Sequence, residues 1–292
     1  MQIFIQQFAT GISIGSVYAL LAVGYALVFS VFNFSNFGFG PIMMLGTFAA
    51  FYAISLLHLP LIAAIILAMA VAGIVSVLME LMIYRPMRQK KALKLYLMIA
   101  ALGMNTLIPN FAIQVFGGGV RAFPSEWAKS VIKAGGITVP RADILAAALS
   151  IIMLVLLWMF LYKTKIGLGI RASSFDSGTA ELMGINVNLV AIVIFILSGA
   201  SAGLAGCFYG MKYSVYPNMG TVAMKGFVAS TVGGLGSLPG AVVSGLLLGF
   251  LETMISSYIS TTYRDLVAYG LLVAVLIFMP NGLLGKGMHD KI

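Results

Sequence analysis

Glu252 is the residue whose type and setting most call for a chemical account. It stands in GFLETMISS, near the middle of an apolar run, where an ionised side chain costs about 3 kcal/mol or more unless it is paired or hydrated. No cation inside that run is placed to pair with it. Three roles are open to it: lining a polar path, bridging subunits, or accepting structural hydrogen bonds, and the structural role is the favoured one. Glu80 differs, because it lies one helical turn before Tyr84 and Arg85 and reads as a local pair at a helix end. Two further stretches invite non-helical backbone at membrane depth. One is 34–46, with Asn36, Gly40 and Pro41; the other is 233–240, with Gly234, Gly236, Ser237 and Pro239. In lipid such backbone is tolerated only where protein or a water-filled cavity satisfies it. Interruptions in both halves of a chain point to a transport path; the competing reading is that Gly and Pro merely allow kinks and close packing.

The most informative soluble piece is KTKIGLGIRASSFDSGTAELMGINVN, at 163–188. Asp176, Ala180 and Gly184 recur at i, i+4 and i+8, one face of a helix. Ala180 and Gly184 are small, so that face is expected to accept a protruding partner. The alternative is an amphipathic connector lying on the bilayer surface. Motifs for catalysis are missing. GLLGKG at 282–287 lacks the glycine spacing and the Ser/Thr of a phosphate loop, and there is no GxSxG, HExxH or CxxC. The single cysteine, Cys207, and two distant histidines, His58 and His289, make neither a disulfide nor a metal site. No enzymatic activity and no cofactor are expected; if ATP drives this protein, it is hydrolysed on another chain.

The elements that must carry these residues are membrane helices. Of 292 residues, 61% are hydrophobic and 9% charged, against about 45–50% and about 25% in soluble domains. Mean hydropathy is +1.07. The 33 glycines suit closely packed helices in lipid, and the 12 tyrosines suit its interfaces. At about 20 apolar residues per crossing, spans fall at 8–32, 37–57, 61–83, 95–116, 143–162, 189–211, 241–260 and 266–279. The piece 224–240 is apolar enough to enter the membrane but too short and glycine-rich for a plain helix. The first residues, MQIFIQQF, lack the basic start of a cleavable signal, so the first span is expected to remain as an anchor. The chain reads as one transmembrane domain over 1–292.

Basic residues set the orientation. Arg85, Arg88, Lys90, Lys91 and Lys94 form the densest cluster, and Lys163, Lys165 and Arg171 mark a second loop two spans on. Both are expected on the cytoplasmic side, with the N-terminus and the mixed segment 117–141 outside. Lys286 and Lys291 put the tail inside as well. That parity needs one extra, broken crossing by 224–240; a re-entrant segment among eight full spans is the rival count. The net charge of +9 is thereby assigned to loops facing the cytoplasm, and no nucleic-acid partner is called for.

Six strings, in order, make the chain recognisable: GSVYALLAVGYALVF, NFGFGPIMMLG at 36–46, Tyr84-Arg85-Pro86, the loop from Arg171 to Ile185, GGLGSLPGAVVSG at 233–245, and the Met279-Pro280 ending with Gly282 and Gly285. The chain resembles the permease subunits of bacterial branched-chain amino acid importers of the ABC class, in particular the shorter, H-type permease, over about 15–285. It departs at Phe39 and Pro41, where many members carry His and a polar or acidic residue. The resemblance implies an all-α permease fold of about eight transmembrane helices plus a short broken or re-entrant segment, in the bacterial plasma membrane. It implies a second homologous permease, two cytoplasmic ATPase subunits and a periplasmic substrate-binding protein as partners. It implies that Arg171, Asp176, Ala180, Glu181 and Gly184 belong to the ATPase-coupling loop. Related permeases carry pentoses, nucleosides or urea, so another small solute is an alternative. A stand-alone secondary transporter or channel is the alternative of another class.

Overall fold

The computed structural model describes residues 2–124, 130–134 and 137–285. Glu126, Trp127 and Lys129, and the tail with Lys286, His289 and Lys291, lie outside the described residues. Helix α1 (Gln2–Phe32) is followed by α2 (Phe39–Ser55), α3 (Leu61–Met79), a π-helical turn (Glu80–Tyr84), α4 (Arg85–Gln89) and α5 (Lys94–Phe116). A small antiparallel hairpin, β1 (Val131–Ala134) with β2 (Ile137–Pro140), leads into α6 (Arg141–Lys163). Two short helices, α7 (Lys165–Phe175) and α8 (Ser177–Leu182), precede α9 (Val187–Lys212). Then come a 3-10 turn (Pro217–Val222), α10 (Ala223–Gly233), α11 (Leu238–Tyr258), a second 3-10 turn (Thr261–Tyr263) and α12 (Arg264–Phe278). Among the described residues, seven helices are long and apolar enough to cross a membrane, and Phe39–Ser55 is a shorter apolar one. These are the eight expected spans; α10 and the turn before it are the broken piece.

Small residues decide the packing, as expected where lipid removes the hydrophobic drive between helices. Helix α11 runs antiparallel to α1: a Cβ on Gly245 would lie 2.9 Å from Ala19 Cβ, and one on Gly11 would lie 3.2 Å from Phe250 Cα. Helices α2, α3 and α9 meet where a Cβ on Gly46 would lie 2.9 Å from Gly203 Cα and 3.0 Å from the Ala68 carbonyl. Helix α1 is thus the central span, with buried residues from Ser13 through Val28 on all sides. Helices α5 and α12 are peripheral, with Leu107, Phe111, Ile277 and Phe278 exposed.

The two ends of the bundle are distinct. At one end Lys212, closing α9, reaches Asp143 at the start of α6 (2.7 Å), and Ser13 of α1 donates to the same carboxylate (3.2 Å). At the other end Arg88 lies 4.3 Å over the Phe32 ring, and a Cβ on Gly234 would lie 2.6 Å from Gly285. After α9 the chain turns inward. Val215 pairs with Arg121 in an isolated bridge, and the 3-10 turn packs Gly220 against Gly40. Helix α10 then runs beside α1, from Leu21 (against Gly226) toward Ser30 (near Gly236). An irregular half followed by a helical half therefore carries residues 213–233 from the Lys212 end to the Arg88 end. The break anticipated within 224–240 is narrower than expected, because 223–233 is helical and Pro239 sits in the first turn of α11. Proline is welcome there, since its missing N–H would have no partner in any case.

Candidate functional site

The first break, 33–38, is held by side chains. Asn36 is 1% exposed. Its Oδ1 accepts from the Gly38 N–H (3.0 Å) and from the Tyr84 hydroxyl (2.6 Å). Two donors on one atom fix which end of the amide is oxygen, and they leave Nδ2 as a buried donor without a partner. Tyr84 arrives from the π turn at the end of α3 and packs between Phe34 and Phe195 (ring centroids 5.2 and 5.4 Å). Gly40, in the first turn of α2, touches Gly220, so the first break meets the irregular 217–222 turn. This junction lies level with Leu21–Gly24 of α1, roughly 12–16 Å inside the Phe32 end at 1.5 Å per residue. Phe39, where the resemblance leads one to look for a polar group, lays its ring 4.8 Å from that of Tyr25.

The second break, 234–237, is held by backbone. Gly234 and Gly236 take φ of +103° and +84°, a region that L side chains rarely adopt. The Gly234 N–H donates to the Thr231 carbonyl (3.1 Å), and the Ser237 N–H donates to the Gly234 carbonyl (2.9 Å). The Ser237 hydroxyl caps α11 by accepting from the Gly240 N–H (3.3 Å). From the chain's end, Leu283 and Leu284 N–H groups donate to the carbonyls of Val232 and Gly233 (2.8 and 3.0 Å), satisfying the open end of α10. The family-like ending with Gly282 and Gly285 is thereby a seal on this break.

Glu252 has two cations, contrary to the sequence expectation. Lys225 Nζ lies 2.6 Å from its Oε1, and Arg264 Nε lies 3.2 Å from the same oxygen. Lys225 also reaches Asp265 (2.9 Å), and Arg264 donates to Ser256 Oγ (3.0 Å). Both cations sit on other helices: Lys225 at the head of α10 and Arg264 at the head of α12. No spacing rule within one span can find such partners. Glu252 is also off-centre, roughly 9 Å from the Tyr258 end of α11. Its Oε2 is buried without a hydrogen-bond partner. Glu80 pairs with Arg88 rather than Arg85, because the π turn advances the chain between them.

In 163–188 the residues of the expected docking face have different structural settings. Asp176 is the N-cap of α8, its Oδ1 accepting from the N–H groups of Gly178 (3.0 Å) and Thr179 (3.4 Å). Gly184 terminates the same helix at φ +85°. The Ile185 N–H reaches the Ala180 carbonyl and the Gly184 N–H that of Glu181, the paired bonds of a Schellman motif. Ala180 is turned inward, 4% exposed, whereas Leu182 and Met183 are 88% and 80% exposed. Ala180 thus packs the helix on its own protein, whereas Gly184 is exposed with nothing within 4 Å of a Cβ built on it; the apolar pair is outward as well, with Glu181 exposed beside it. Arg171 lies on α7, its guanidinium 4.9 Å over the Tyr162 ring.

Comparison with known proteins agrees with this architecture. The family described as branched-chain amino acid transport system / permease component matches residues 7–276. The high-affinity branched-chain amino acid transport system permease protein LivH of Escherichia coli K12 is 32% identical over 99% of this chain and 98% of its own length. BraD of Pseudomonas aeruginosa, bearing the same description, is also 32% identical over the same shares. The ribose import permease RbsC of Escherichia coli K12 is 27% identical over 42% of this chain and 41% of its own length. A chain of PsaBC from Streptococcus pneumoniae, solved with a Fab, has the same fold at a TM-score of 0.53, covering 95% of this chain and 92% of that one, with 15% identity. A multi-pass helical bundle matched along nearly its whole length to such permeases leaves one assignment: the chain belongs to the branched-chain amino acid transport system permease family.

Proposed function

We propose that this chain is the translocating subunit of an ABC importer for branched-chain amino acids in the bacterial plasma membrane. The observation that carries the reading is the 32% identity to LivH across 99% of the chain. ATP is hydrolysed on two separate cytoplasmic subunits, a reading supported by the lack of a phosphate-loop motif in this sequence. A second homologous permease completes the membrane part, and a periplasmic binding protein delivers substrate. Residues 1–292 act as one transmembrane domain, with 163–188 and the tail facing the cytoplasm, where the basic clusters belong. The outward pair Leu182 and Met183, on a helix fixed by Asp176 and Gly184, is the contact offered to an ATPase. The junction of Asn36 and Gly40 with the 217–222 turn lies along the path, as broken segments do in other transporters. Import of a sugar is the second reading, favoured by the partial identity to RbsC.

The deciding experiment is uptake by the complex reconstituted in vesicles with ATPases and binding protein. ATP-dependent accumulation of labelled leucine, isoleucine and valine, but not ribose or urea, is expected. Accumulation of ribose or urea alone would favour the second reading, and uptake without ATPase subunits would refute an ABC mechanism. Leu182→Asp with Met183→Asp should abolish ATPase co-purification while leaving the permease in the membrane.

A further inference from the structure

Four charges meet where α10, α11 and α12 converge at the Lys212 end of the bundle, and their balance is informative. Lys225 and Arg264 face Glu252 and Asp265, so the cluster is neutral as a whole. Its pairing is incomplete. Glu252, 2% exposed, leaves Oε2 buried without a hydrogen-bond partner. Asp265 is the opposite case, its side chain 70% exposed and paired, among the described residues, with Lys225. Two hydroxyls border the cluster: Tyr18 of α1, its ring centroid 5.9 Å from Lys225 Nζ, reaches toward the Glu252 carboxylate, and Tyr213 reaches toward Arg264. A structural ion pair is best served by closed pairing of every polar atom; here one carboxylate is left half-used at the bottom and another open at the rim.

The geometry points to a transient site for a zwitterion, an α-amino acid, formed by exchange of these pairs. The inference rests on the proposed amino-acid transport reading and names the residues that recognise the backbone of the substrate. An ammonium group would take Glu252 Oε2 as the Tyr18 hydroxyl swings aside, and a carboxylate would take Lys225 and Arg264 as they release Oε1. The cluster has two acids and two bases, so a ligand carrying one charge of each sign leaves its total unchanged. An amine or an oxo acid alone would leave a net charge in a poorly solvated place, at the cost such charges carry within a membrane protein. The discrimination is therefore for the zwitterion itself, whatever side chain the substrate bears. Lys225 is suited to the exchange, since a long flexible stem lets its ammonium move while its backbone stays in α10.

The test uses the reconstituted complex with Ser256→Cys, one turn beyond Glu252, introduced in a Cys207→Ala background. Thiol labelling from the Lys212 side is followed without binding protein, in the presence of L-leucine, of its decarboxylated amine, or of its 2-oxo acid. Only leucine is expected to slow labelling. Glu252→Gln should remove that protection and cut leucine uptake by about thirtyfold or more. Because a single charge removal can also unfold the protein, Lys225→Met with Glu252→Met serves as the second variant. It removes one charge of each sign and leaves the neighbours Arg264 and Asp265 to balance each other, so no net charge is stranded; this double variant should assemble yet neither import nor be protected. The proposal is overturned if vesicles that import leucine show no protection, if the amine or the oxo acid protects equally, or if the double variant imports as wild type does. Should the unaltered complex import another solute and no amino acid, the transport reading itself has failed, and this inference with it.

Discussion

The two breaks in the helices of this permease solve one problem in different ways. The first, at 33–38, keeps its backbone satisfied with a side chain: Asn36 accepts from Gly38 and from Tyr84, a residue brought in from the end of α3. Its positive-φ residue is Asn33, at +51°, a residue type that tolerates that region. The second, at 234–237, relies on backbone geometry. Its glycines adopt positive φ, and the chain's own ending, Leu283 and Leu284, supplies donors to the carbonyls of Val232 and Gly233. A side-chain clamp can be loosened by parting one hydrogen bond, and the Asn36 Nδ2 donor is already without a partner. A backbone seal has no such intermediate, because its neighbours are in direct contact. On this contrast the first break is expected to yield before the second, which forms a corner at the end of the bundle.

Substitutions at three positions test the contrast. The largest effect is expected at the fixed corner. Gly234→Leu meets both a φ of +103° and a Cβ position 2.6 Å from Gly285, so backbone strain and overpacking add to about 4 kcal/mol or more. Thermal unfolding in detergent should show a protein that no longer folds, and uptake should vanish; a folded, active variant would mean that the corner yields. Next comes Asn36→Ala, which strands the Tyr84 hydroxyl and the Gly38 N–H at a cost of about 3 kcal/mol. Its uptake should fall more than its melting temperature does, while Asn36→Asp, keeping the acceptor, retains more of both. Equal losses in stability and uptake would make the first break as rigid as the second. The smallest effect belongs to Gly236→Ala. Its φ is +84°, but its nearest neighbour, Ser30 Cα, would be 3.4 Å away, leaving about 1 kcal/mol of backbone cost. A loss rivalling that of Gly234→Leu would show that conformation rather than contact governs the corner.

Much of the architecture was legible in the chain. Lipid allows few backbone solutions, so runs of apolar residues predict spans, and each of the eight predicted spans overlaps a helix of the structure. The parity of basic loops called for a broken crossing near 224–240, with a re-entrant segment as the rival, and in that stretch the structure has the short helix α10, after an irregular turn. The family was legible too, since its strings fall in order along one chain. What pattern could not reach were partners on different elements. Glu252 was read as lacking a cation because periodicity compares residues along one helix, whereas Lys225 and Arg264 come from two others. The i, i+4, i+8 spacing of Asp176, Ala180 and Gly184 identified a helix, but spacing does not say which face points outward. Asp176 became the cap, Gly184 the terminator and Ala180 the packed side, leaving Leu182 and Met183 outside. Composition and order by themselves determined that the chain crosses the membrane many times and to which family it belongs, because solvent and covalent reach constrain those locally; they left the count open between eight crossings and nine. Which charges neutralise one another, which break is clamped and which sealed, and which side chains of 163–188 are left outward were decided by tertiary structure alone, since each depends on residues far apart in sequence packing against one another.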